Sequence, residues 1–150
     1  MSTSQGYQSR PRSASGAVAL TPLRFYNEDM REARILAVDD EPMNVEILAR
    51  YLQSKGHRVA GAADAEEALA ALRAGSFDLV LVDVVLPGRT GLEVLPELAQ
   101  LTQAPIHIMS GSNDDDTRRD ALMLGAAGFL PKPIDLEALT TLVADLPDSV

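Results

Sequence analysis

The sequence predicts an α/β chain in which a doubly wound, five-stranded parallel sheet alternates with five helices. Two observations carry this. Short apolar runs such as Ile35-Leu36-Ala37-Val38 and Leu79-Val80-Leu81-Val82 show no polar alternation, the pattern of parallel strands buried on both faces. Between the runs lie segments with apolar residues at helical spacing, long enough for crossover helices. Right-handed crossovers limit such a chain to a few orders, with ligands beyond the carboxyl ends of the strands.

The elements follow in order from Arg34. The run 35–38 is a strand, ended by Asp39-Asp40-Glu41-Pro42. A helix from about Met43 to Lys55 places Val45, Leu48, Tyr51 and Leu52 on one face, with Gly56 to close it. Val59–Ala63 is the second strand. Asp64 caps the next helix, with Glu67 reaching back, and Gly75 ends it. The third strand stops at Asp83, and a loop through Pro87-Gly88 leads to Thr90-Gly91-Leu92-Glu93, a capping box for the third helix. Ile106–Met109 is the fourth strand, ending at Ser110. A helix spans about Asp114 to Leu124, Gly128–Leu130 is a short fifth strand, and Asp135 caps a last helix reaching about Leu146.

The 150 residues suit one domain, and 46% hydrophobic against 23% charged residues marks a globular chain rather than a disordered one. With no cysteine, a disulfide framework and thiolate metal sites are excluded. Residues 1–34 hold five arginines against three acids, +2, so the rest carries −11 of the net −9. An acidic domain of this kind argues against a nucleic-acid-binding surface. No secretory signal or membrane span is legible, and the expected location is cytoplasmic. Residues 1–33 read as a flexible N-terminal extension with a short helix near 23–33, and residues 34–148 as the folded domain.

The carboxyl ends of the strands carry the chemistry. Asp39 and Asp40 follow strand one, Asp83 strand three, Ser110 strand four and Lys132 strand five. In a doubly wound sheet these residues meet in one crevice. Two unit charges 4 Å apart repel by about 4 kcal/mol at an effective dielectric of 20, so three carboxylates require a cation. Oxygen donors without His or Cys suit Mg2+. Mg2+ and a lysine together can neutralise a transferring phosphoryl group, and a carboxylate in line can accept it as an acyl phosphate.

The set Asp39-Asp40, Asp83, Ser110 and Lys132-Pro133 resembles the receiver domains of response regulators in two-component systems, of which CheY is the simplest member. The resemblance runs from about Arg34 to the last helix. It implies the flavodoxin/CheY-like (βα)5 fold with strand order 2-1-3-4-5, the order known for CheY itself. It implies Asp83 as phosphoacceptor. Mg2+ would be held by Asp40, Asp83 and the backbone carbonyl of Val85, with Asp39 acting largely through water. Lys132 would pair with the phosphoryl group before a cis Lys132-Pro133 bond. Ser110 would swing toward the phosphoryl oxygens, and Phe129 would turn inward with it.

Such a domain modifies itself rather than turning over a substrate. The implied donor is a histidine kinase or a histidine phosphotransfer protein. The implied output is a protein target, or a phosphorylation-dependent homodimer, met by the face of the last two helices and strand five. Alternatives are an interaction module with the fold but no phosphorylation, and a receiver fragment of a larger regulator or hybrid kinase. An aspartyl phosphatase of the haloacid dehalogenase type needs an acid two residues after its nucleophile, where this chain has Val85. Arg89 departs from the family pattern by placing a charge near the phosphorylation loop. Asp114-Asp115-Asp116 reads as a complement to the positive end of a helix, and His57 and His107 as structural.

Overall fold

In a computed structural model, residues 32–112 and 114–147 are described. Their order is β1 (Arg34–Val38), α1 (Pro42–Ser54), β2 (Arg58–Ala62), α2 (Ala65–Ala74), β3 (Leu79–Asp83), α3 (Gly91–Leu101), β4 (Ile106–Ser110), α4 (Asp115–Met123), β5 (Gly128–Pro131) and α5 (Leu136–Ala144). All neighbouring strands pair in parallel, in the order β2-β1-β3-β4-β5. This is the 2-1-3-4-5 order that the resemblance implied. The N-terminal extension and its helix fall outside the described residues, except for Glu32 and Ala33, which are not helical.

The sheet separates two apolar layers. Ile35, Ala37, Leu79 and Leu81 pack against Leu48 and Leu52 of α1 and Leu139 and Val143 of α5. Leu36, Val38, Val80, Val82, Ile106 and Ile108 pack on the other face against α2, α3 and Ala121 of α4. The central strands β1 and β3 supply residues to both layers, which is why their apolar runs show no alternation. The last helix stops at Ala144 rather than near Leu146, although Leu146 remains buried in the first of these layers.

Local signals act through specific bonds. Asp64 accepts from the Glu67 amide, whereas the Glu67 carboxylate reaches one residue beyond the cap, to the Ala63 amide at 2.8 Å. At Thr90 and Glu93 both halves of the capping box form. Gly56 closes α1 at φ +95°, in the left-handed region where a side chain is strained. His57 accepts the Ala33 amide through Nδ1 at 3.0 Å, securing the entry to β1.

His107 occupies the space that a side chain at Gly128 would need, since a Cβ there would lie 2.6 Å from its ring atoms. Burial holds the His107 imidazole below its ordinary pKa. Unfolded chains therefore bind more protons than folded ones below about pH 6.5. The contribution is fully present above that value and is lost as pH falls through the folded pKa. Urea unfolding between about pH 7.5 and about pH 5.5 should show stability declining in acid, with a shallower decline in His107→Gln. Equal slopes in the two proteins would assign the protons elsewhere.

Candidate phosphoryl-acceptor site

The carboxyl ends of β1, β3, β4 and β5 converge as the topology requires. Asp83 is the last residue of β3 and Ser110 the last of β4, while Asp39 follows β1 and Lys132 follows β5. Among the described residues, Asp39, Asp83 and Ser110 are the buried polar ones, whereas Asp40 is exposed. Lys132 reaches across the crevice so that its Nζ donates to Asp83 Oδ2 at 2.6 Å and to Asp39 Oδ2 at 3.0 Å. Its own amide donates to the Ser110 carbonyl at 2.8 Å, which fixes the base of the lysine against β4. The Lys132-Pro133 peptide bond is cis.

Each buried carboxylate is held by several donors. Asp83 Oδ1 accepts the Val85 amide at 3.0 Å. Asp39 accepts the Glu41 amide at 3.0 Å and Asn44 Nδ2 at 3.2 Å, besides Lys132. Burial pushes Asp83 above the usual carboxylate range, opposed by the hydrogen bonds from Lys132 and Val85, with the Asp39 charge adding to the rise. Burial also acts to lower Lys132, but the two carboxylates outweigh it and hold the ammonium above its ordinary value. The lysine is therefore a permanent cation in the crevice.

Asp39, Asp40 and Asp83 can each present one oxygen within 4.8 Å of the others. Three hard oxygen donors at this spacing, with no sulfur or imidazole among them, fit a divalent cation of the Mg2+ or Ca2+ type. The cluster has charge to spare for one, because a single ammonium faces three carboxylates.

The rim of the site shows why its loops hold their shape. Ser110 Oγ accepts the Ser112 amide at 3.0 Å, and Ser112 Oγ donates to Asp114 at 2.6 Å. Asp114 also accepts the Thr117 amide as the cap of α4, and these donors lower its pKa to about 2. The acidic run is thus a helix cap with two acids in the first turn. The Arg89 guanidinium is bonded to Glu97 and lies 3.6 Å from Glu66. Phe129 is half-buried on β5 against the α2–α4 layer, with the Arg118 guanidinium 5.0 Å from its ring centre.

Against known proteins, residues 35–144 match the response regulator receiver domain. The chain belongs to this family. Its relatives include the transcriptional regulatory protein TcrA of Mycobacterium tuberculosis strain H37Rv, 39% identical over 107 residues, covering 71% of this chain and 42% of TcrA. Among solved structures, the chemotaxis protein CheY4 of Vibrio cholerae superposes with a TM-score of 0.72 at 30% identity, over 78% of this chain and all of CheY4. A Burkholderia pseudomallei response regulator, solved with a phosphorylated aspartic acid, a calcium ion and citrate, gives a TM-score of 0.70 at 30% identity, over 73% of this chain and 65% of its own. The receiver spans under half the length of the first curated relatives it matches, between 45% and 47% of each.

Three residues of this receiver's site were not singled out for it by sequence reasoning. Asn44 ties Asp39 to Glu41 Oε1, at 3.1 Å from the latter. Its position one turn after Asp40 was the available signal. Gly91 looked like part of a helix cap, yet a Cβ there would lie 3.0 Å from the Asp83 carbonyl carbon and inside contact with its oxygen. Arg118 over Phe129 depends on α4 lying beside β5, which no local pattern specifies. Among the described residues no helix is long and apolar enough to cross a membrane.

Proposed function

We propose that Asp83 is the phosphoacceptor of this receiver and that Mg2+ assists the transfer, held by Asp40, Asp83 and the Val85 carbonyl, with Asp39 acting through water. The observation that carries this is Lys132 Nζ lying between Asp83 and Asp39 at 2.6 and 3.0 Å, beside a carboxylate set spaced for a divalent ion. When bound, the ion neutralises charge on the phosphoryl oxygens. The Asp83 carboxylate attacks phosphorus of a phosphohistidine on a histidine kinase or histidine phosphotransfer protein. An O–P bond forms, the P–N bond breaks, and the imidazole nitrogen leaves with the electron pair. Lys132 exchanges its bond to Asp83 for one to a phosphoryl oxygen. The Ser110 hydroxyl, whose oxygen already accepts the Ser112 amide, turns its proton to another.

With that movement Phe129 turns inward, which alters the face of α4, β5 and α5. This face meets a protein target or a second copy of the chain. The receiver meets its phosphohistidine donor in the cytoplasm. The domain works by modifying itself, without turnover of a separate substrate.

Incubation with Mg2+ and radiolabelled acetyl phosphate should label the wild type, while Asp83→Asn takes up no label. Beryllium fluoride with Mg2+ should move the NMR signals of Ser110 and Phe129. Labelling that persists in Asp83→Asn would remove the assignment, and a wild type inert to both reagents would favour a phosphorylation-independent module.

A further inference from the structure

The groove between α3 and α4 shares no lining residue with the acidic cluster and has a volume of about 530 Å3. Its walls are Leu92 and Pro96 of α3 and Met123 and Leu124 at the end of α4, and its lips carry Glu93 and Asp120. Met123 is 78% exposed and Leu124 38%. Large side chains this open to water at a helix end mark an interaction surface when they adjoin other apolar groups. A small ligand would be enclosed on most sides, whereas this groove stands open along Met123. The geometry therefore suits an extended or helical segment of another protein.

The sign of its charge limits the partner. Among the described residues neither Glu93 nor Asp120 takes part in an ion pair. The Glu93 carboxylate accepts the Thr90 amide. Pro96 sits inside α3 and has no N–H, so the Leu92 carbonyl is denied its usual helical donor. The two carboxylates border one apolar floor and call for N–H donors with positive charge. A second copy meeting this face symmetrically would set acid against acid.

We infer that the α3–α4 groove is a docking surface for a cationic amphipathic segment of a partner protein, apolar residues on the floor and Lys or Arg at the lips. The inference does not depend on phosphorylation of Asp83.

A synthetic Leu/Lys amphipathic helix of about four turns, ~21 Å long, serves as the probe for the intact chain, followed by NMR of methionine methyls and backbone amides. Counterparts with Glu for Lys and with Ser for Leu separate charge from apolar contact. The Leu/Lys peptide should bind saturably, with shifts centred on Leu92, Glu93, Met123 and Leu124. Asp120→Lys and Met123→Ser, both at exposed positions, should each weaken it by roughly tenfold, a ~1.4 kcal/mol effect. Shifts that are absent, spread over the acidic surface or centred at another cavity would overturn the inference. So would equal binding of either counterpart peptide, or self-association of the chain through this groove.

Discussion

Lys132→Met should destabilise the metal-free protein by on the order of 3 kcal/mol, because it leaves two buried carboxylates without their shared cation. Asp39 and Asp83 are both almost fully buried, and Lys132 bonds to each. The loss should be largest at neutral pH. Without the ammonium, the Asp83 pKa rises further above its unfolded value. A carboxyl raised in this way is stable below its unfolded pKa, near 4, and loses that stability as pH rises through the folded one. Mg2+ should recover part of the deficit, so the melting temperature of the variant should climb more with Mg2+ than that of the wild type. Pairing the change with Asp83→Asn should restore stability by removing one of the stranded charges. A variant as stable as wild type in EDTA would mean that these carboxylates scarcely feel one another, and the metal argument would fail with it.

Gly91→Ala should act on the same residue from the opposite side. A Cβ at position 91 meets the backbone of Asp83, with the Val82 side chain 3.1 Å away, and neither the carbonyl group nor the strand can rotate aside. The Gly91 amide also donates to the Val84 carbonyl at 2.8 Å, so the start of α3 is fastened to the loop it would push. Overpacking of this kind costs about 2 kcal/mol. The larger effect should fall on phosphorylation, since a misplacement of about 1 Å at a reacting group can cost on the order of a hundredfold in rate. Denaturant unfolding and acetyl phosphate labelling, measured on the same preparation, separate the two. Reduced stability with a normal labelling rate per folded molecule would make Gly91 a packing residue only.

The two variants probe one arrangement. Lys132 pulls on the Asp83 carboxylate from β5 while the start of α3 limits where the Asp83 backbone can go. Arg89 does not join in, because Glu97 and Glu66 hold its guanidinium at the α2–α3 surface. A charge that looked intrusive in the sequence is therefore neutralised by acids from two helices. Its neighbours in space, unlike its neighbours in the chain, were not legible beforehand.

What the chain alone determined was the sheet, its layers and the gathering of Asp39, Asp40, Asp83, Ser110 and Lys132 at one rim. Apolar runs, helix caps and glycine turns are local, and parallel strands joined by helices must bring their carboxyl ends to one edge. Only the tertiary structure decided that Lys132 bridges Asp83 to Asp39, that Gly91 abuts the Asp83 backbone, that Arg118 covers Phe129 and that α3 and α4 leave an acid-lipped groove. Those outcomes depend on distances between elements far apart in sequence, set by side-chain packing across the layers, and no periodicity encodes them.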